Sequence, residues 1–277
     1  MAKELEDLRA QLGIETGILL TGDATGGAVG NIIDTNGLAH LEEDDTLNGA
    51  LALIRTTGDS AAPMGESRRV VGYNAGIQAA TVEYNFTAAV GVGDVYEFYR
   101  VPLTLEDINE TINQAIREAW PMIWNPELVE WNSAGEDFHD VGAESAGEPD
   151  DIVDIWLQDT NVGTGWQWMP RSMWRYVRDT QVIYFERALS NSVEVRALNK
   201  LIYAELGVGA DTSLDEGYLM AAAKANLYET LAATLGGSHD ISRYLDLMSY
   251  WGKKADERKQ AVALALERVP PILRGKK

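Results

Sequence analysis

The sequence predicts an α+β protein built from a small turn-rich antiparallel β module, a core helix, a second tryptophan-rich β region and a C-terminal helical hairpin. Three observations carry that prediction. Residues 16–100 break into short β-rich runs separated by glycine-containing turns. Residues 104–119 and 213–266 place apolar side chains at helical spacing behind capping residues. Seven of the eight tryptophans fall between positions 120 and 174, among runs of strand character.

The elements follow in order. Residues 1–15 hold Leu5, Leu8 and Leu12 at helical spacing, and Gly13 suits the end of a short amphipathic helix. Such a helix is too short to stand alone in water. Residues 16–103 form the β module, a barrel or sandwich, with strands expected at 31–34, 51–56, 68–73, 81–86 and 94–99. Its turns are signalled by Gly26-Gly27, Asn36-Gly37 and Asn48-Gly49, pairs that supply positive φ. Residues 104–212 form the next unit. Thr104 with Asp107 three residues on is an acidic capping box, Ile108, Ile112, Ala115, Ile116 and Ala119 make one stripe, and Pro121 ends the helix. From Glu127 to Asp159 there are 11 acids and no base, and residues 142–151 read as a solvated loop. Strands are expected at 152–158, 166–169, 174–178, 181–186 and 193–198.

Residues 213–269 form the hairpin. Ser213 with Glu216 reads as a capping box, Gly236-Gly237 as a stop, Ser238 or Asp240 as the next cap, and Pro270-Pro271 as the final stop. The hairpin core, expected to be critical for assembly, is Tyr218, Tyr228, Leu231, Ile241, Leu245, Met248 and Trp251. Residues 270–277 are a basic tail.

Composition narrows the function. No apolar run approaches the roughly 18 residues that span a bilayer, and the first nine residues are charged where a signal peptide carries its apolar segment. A protein that is neither membrane-embedded nor conventionally secreted is expected. Without cysteine there is no disulfide, no thiolate and no cysteine-ligated metal. The net charge of −20 is uneven: residues 1–160 hold 30 acids against 7 bases, and residues 252–277 hold 3 against 8. An acidic body repels phosphate, so any meeting with DNA should be non-adhesive.

Chemical motifs are sparse. His40, His139 and His239 are scattered, with no H-E-x-x-H spacing. Ser238, His239 and Asp240 are contiguous, which is a helix start and not triad geometry. The stretch from Asp44 to Arg55 fails as a calcium loop because Arg55 stands where the bidentate Glu belongs. Asp150, Asp151 and Asp154 read as solvated acids in preference to a divalent-ion site. Gly91-Val92-Gly93 lacks the third glycine of a dinucleotide fingerprint. No metal and no organic cofactor is expected, and nothing singles out a catalytic pair among 43 acids. The tryptophans admit two readings: a core or subunit interface, with Trp166 and Trp168 on one strand face, and a sugar-stacking platform.

The order of the pieces resembles a known family. A β module closing with Gly93 to Arg100, the segment from Leu105 to Asn109 running through Ala115 to Trp120, a tryptophan-rich β segment and an alanine- and tyrosine-rich hairpin together resemble head–tail connectors, the neck adaptors of tailed bacteriophages. The chain departs from small adaptors by carrying the large β module. The resemblance implies a non-enzymatic virion subunit, assembled in the host cytoplasm as a ring of about twelve copies. Its implied partners are itself, the portal and a downstream neck or tail protein, with DNA passing through unbound. Another tail or baseplate subunit and a carbohydrate-binding or glycan-processing protein are the alternatives. In the tail, Pro270, Pro271, Ile272, Leu273, Arg274, Lys276 and Lys277 read either as a frayed terminus or as a portal-docking peptide. In the second reading the prolines limit the entropy lost on ordering and the charges steer the peptide.

Overall fold

The structure is a computed structural model and describes residues 3–58, 63–159, 165–191, 193–235 and 241–267. The fold is α+β. The chain runs β1 (Lys3–Glu4), α1 (Leu5–Thr16), β2 (Leu19–Asp23), β3 (Gly26–Ala28), β4 (Asn31–Ile33), β5 (Leu51–Thr56), β6 (Ser67–Asn74), β7 (Ala79–Val82) and β8 (Val95–Tyr99). It continues through α2 (Leu105–Ala119), β9 (Asn125–Asn132), β10 (Phe138–Asp140), β11 (Asp151–Asp159), β12 (Gln167–Met169), β13 (Trp174–Val177), β14 (Val182–Phe185), β15 (Val193–Leu201) and β16 (Asp211–Thr212). The helices α3 (Glu216–Thr234) and α4 (Ile241–Glu267) close it.

The β module is one seven-stranded antiparallel sheet in the order β2-β8-β5-β6-β7-β4-β3. Ser67 to Arg69 of β6 pair with β5, and Val70 to Asn74 pair with β7. The two halves of the sheet therefore share one core, where Ala52, Ile54, Tyr96 and Phe98 meet Ile32, Tyr73, Ala80 and Val82. Three strands differ from expectation. The run predicted at 81–86 pairs earlier, at Ala79–Val82, and β2 and β3 occupy a glycine-rich stretch that reads as turns.

The first helix also differs: it passes through Gly13 and ends on Gly17, whose φ is +74°. A Cβ on Gly13 would stand 2.6 Å from that of Leu19. Glycine at 13 permits close approach of α1 to β2, and the left-handed cap falls four residues later. The second helix matches expectation. Thr104 Oγ1 accepts from the Asp107 amide at 3.1 Å, the Asp107 carboxylate accepts from the Thr104 amide at 2.8 Å, and the stripe from Ile108 to Ala119 is buried.

Strands β9 to β15 make two further sheets, ordered β12-β11-β15-β9 and β10-β14-β13. They enclose one core, with Val129, Trp131, Ile155 and Val195 from the first and Trp174, Ile183 and Phe185 from the second or its edge. The segment after β10 is a single 3-10 turn at Val141–Ala143 and then an exposed acidic loop. The helix α2 buries its stripe among α1 and α3, and not among the tryptophan-rich strands with which the sequence grouping of 104–212 places it.

At the hairpin the predicted Ser213–Glu216 box is replaced by Asp215, whose Oδ1 accepts from the Tyr218 amide at 2.8 Å. The reason is register: α3 begins at Glu216, so Asp215 holds the capping position. The predicted stops and caps at residues 236–240 and 270–271 lie outside the described residues.

Candidate functional site

An apolar stripe marks the hairpin in the sequence, and residues 218–228 of its first helix are buried on every side, nearly all of them apolar. Tyr218 (2% exposed), Tyr228 and Leu231 are buried as predicted. A helix apolar all round is surrounded by protein, and here α1, α2 and α4 surround α3. Tyr218 Oη donates to the Ala115 carbonyl at 3.0 Å, tying α3 to α2. Burial raises the pKa of that phenol well above its ordinary value.

The second helix is different. Tyr244, Leu247, Met248, Trp251, Val262 and Leu266 are half-buried against the helical core, Ile241 is half-buried, and Ala255 is buried. Leu245 does not belong to the buried stripe: it is 45% exposed. Each residue turns a helix by about 100°, so Leu245 follows Tyr244 away from α3. Tyr250 and Leu264 are likewise exposed. One face of α4 is therefore left uncovered within the chain, where the sequence suggests a fully buried stripe.

A polar tie crosses the three helices. Lys224, 6% exposed in the middle of α3, pairs with Glu15 of α1 at 2.6 Å and sits 3.8 Å above the Trp251 ring of α4. Burial raises the Glu15 pKa, but hydrogen bonds from Lys224 and Gln11 outweigh it and hold the carboxyl below its usual range. Beside it Arg258 grips Asp215 through two bonds of 2.8 Å, and Lys3 pairs with Glu216 at 2.7 Å. Apart from Lys3, these groups line a cleft of about 400 Å³. Each charge there is matched by its opposite, so the cleft holds α1, α3 and α4 together and presents no free nucleophile.

A second buried network joins α1 to the β module. Arg9 Nε donates to Tyr99 Oη at 3.1 Å, Tyr99 donates to Glu97 at 2.7 Å, and Arg55 lies 3.7 Å from the same carboxylate. Glu97 is wholly buried. Burial is the leading reason that the Tyr99 phenol titrates far above its ordinary value. Neither buried lysine nor buried arginine is singled out by the sequence. The signal available was Lys224 itself, one cation inside an otherwise alanine- and leucine-rich helical run.

The tryptophans divide. Trp131, Trp156 and Trp174 are buried, whereas Trp168 is 56% exposed with its Nε1 donating to Asp154 at 2.9 Å. The Arg196 guanidinium covers Trp166 at 3.9 Å, and Arg171 covers Trp174 at 3.8 Å. Among the histidines, His40 is exposed in a turn and His139 stacks on Trp131 at 4.2 Å, where burial lowers its pKa. His239 and the docking tail, Pro270, Pro271, Ile272, Leu273, Arg274, Lys276 and Lys277, lie outside the described residues. Among the described residues no cluster of three His, Asp or Glu is placed to hold a metal ion, and no helix is long and apolar enough to cross a membrane.

No protein-family model matches the chain, and no curated protein is significantly similar to it in sequence.

Proposed function

We propose that this chain is a structural subunit of the neck of a tailed bacteriophage, forming an oligomeric ring that joins the portal to the tail and lets DNA pass. The observation that carries the reading is the order of parts: a β module, one capped core helix, a tryptophan-rich β region and a closing hairpin. In that role it is a virion protein and not an enzyme, with the portal and a downstream neck or tail protein as its neighbours. The charge distribution supports passage of DNA. Thirty acids in residues 1–160 repel phosphate wherever a wall comes within the roughly 8 to 10 Å over which salt leaves charges visible.

The test is the mass and symmetry of the protein assembled with its portal. A closed ring of fixed copy number on the portal is expected; a chain that does not bind the portal rejects the reading. Location elsewhere in the particle, seen by labelled electron microscopy, selects a tail or baseplate subunit instead.

A second reading has one observation in its favour. The exposed Trp168, pinned by Asp154, has the form of a sugar-stacking platform. Titration with oligosaccharides separates the two: quenching of tryptophan fluorescence that Trp168→Ala removes supports glycan binding, and no response is expected of a neck subunit.

A further inference from the structure

In a chain of net charge −20, the described lining of a concave surface at Arg100 and Arg243 carries cations and no carboxylate. It forms where the β module meets the hairpin. A cavity of about 350 Å³ there is bounded by Ile18, Arg100, Val101, Tyr228, Arg243 and Tyr244. A second, of about 390 Å³, shares Arg100 and Val101 and extends past Pro102 to Leu235. Together they make one groove with an aromatic and aliphatic floor and two guanidiniums.

Those guanidiniums are uncommitted. Eleven other Lys and Arg side chains are ion-paired, but Arg100 and Arg243 are exposed and pair with no carboxylate of the described residues. The polar contact of Arg100 is one long hydrogen bond, 3.5 Å to the Gly17 carbonyl. Tyr228 and Tyr244 of the floor are stacked, with ring centres 6.2 Å apart and planes 23° from parallel. Unpaired cations at the rim of an apolar floor select an apolar side chain flanked by carboxylates.

The chain itself displays such a segment. Glu136, Asp137 and Asp140 surround Phe138, which is 47% exposed on β10. The strand β10 is at a sheet edge, paired on one side only, with β14, so its other backbone edge is open. The sequence itself holds no Lys or Arg between Glu127 and Asp159.

We propose that the groove receives the Glu136–Asp140 edge of a second copy of this chain, with Phe138 on the tyrosine floor and the flanking carboxylates on Arg100 and Arg243. Groove and edge are different surfaces, so the contact is head-to-tail, and repetition with a closing rotation gives a ring. The inference rests on the ring-forming reading and supplies its interface.

The test is sedimentation velocity of the full chain at low ionic strength over a wide concentration range. Four proteins are compared: wild type, Arg100→Glu/Arg243→Glu, Glu136→Lys/Asp137→Lys, and the combination of all four substitutions. Each pair is expected to weaken self-association by about tenfold or more, the combination to restore it, and added salt to weaken the wild type. Should Arg100→Glu/Arg243→Glu melt early, Arg100→Gln/Arg243→Gln replaces it with the same expected direction. A monomeric wild type, a pair variant that associates like wild type, or a folded combination without rescue each overturns the docking. Portal binding by the same proteins keeps the two ideas apart. Loss of portal binding with self-association intact assigns the groove to the portal and overturns the proposal. Swap-rescued self-association without portal binding upholds the groove and rejects the neck reading.

Discussion

The two helices of the hairpin pack along each other and yet belong to different parts of the protein's economy of burial. The first, α3, buries thirteen of its nineteen residues, on every face. Along the twenty-seven residues of α4, Ala255 is the apolar side chain that reaches full burial, and Leu245, Tyr250 and Leu264 stand in solvent. Their neighbours explain the difference. The alanines of α3 at 221, 222, 223 and 225 let α1, α2 and α4 approach it closely, whereas α4 packs on one side only. The comparison teaches that α3 is the spine of the single chain, and that α4 leaves one face uncovered within it.

Removing a spine residue should have the largest effect. Leu231 is fully buried, and Leu231→Ala is expected to cost about 2–5 kcal/mol by the lost transfer energy and the cavity left behind. Urea denaturation measures it. A cost near zero would break the contrast between the two helices.

The buried cation sharpens the contrast next. Glu15→Gln leaves Lys224 in the helical core without its carboxylate. Breaking a fully buried pair costs about 3–5 kcal/mol. Because the Glu15 side chain is 37% exposed, water screens part of that loss, and about 1–2 kcal/mol is expected. Glu15→Gln with Lys224→Met, which removes the buried charge too, should recover most of the loss. Thermal melts of the single and double variants decide whether the pair stabilises or merely compensates.

A smaller effect comes at the start of α3. Arg258, followed by the Tyr218 amide, holds the Asp215 carboxyl below its ordinary pKa against an opposing effect of burial. The unfolded group titrates at about 3.9. Between the folded and unfolded values the unfolded chain holds more protons, so this stabilisation is full above about pH 4 and is lost as pH falls through the folded value. Asp215→Asn keeps a capping side chain and removes the charge. It should be less stable than wild type by about 1 kcal/mol at pH 7, with the gap closing below pH 4. A gap independent of pH would assign the effect to geometry alone.

These expectations also show where the sequence was informative. The capped start of α2 was legible to the residue because Thr104 and Asp107 act locally. The strand β9 was hidden by its charge: Glu127 and Glu130 dominate a run whose Val129 and Trp131 alternate toward the core. Gly13 reads as a cap and is a contact, because only the tertiary approach of Leu19 explains its missing Cβ. At the hairpin, the stripe of α3 understated its burial, and the stripe of α4 overstated it at Leu245. Periodicity marks which side chains can face a neighbour, and the number of neighbours is set by the rest of the fold. The groove residues Arg100 and Arg243, 143 positions apart, carry no sequence signal of proximity.

Leu245 provides the last and smallest test of stability. It is 45% exposed, so Leu245→Ala removes little buried surface. Surface substitutions of this kind stay within about 0.5 kcal/mol, and the melting temperature should hardly move. Assembly is a separate quantity. An exposed leucine on a half-covered helix face contributes to association in proportion to the apolar area a partner covers. If α4 gives that face to a neighbour, Leu245→Ala should weaken ring formation on the portal while leaving the monomer intact. Wild-type assembly by the variant would show that the open face of α4 remains in solvent. A large loss of monomer stability would instead return Leu245 to the core, and with it remove the distinction between the two helices.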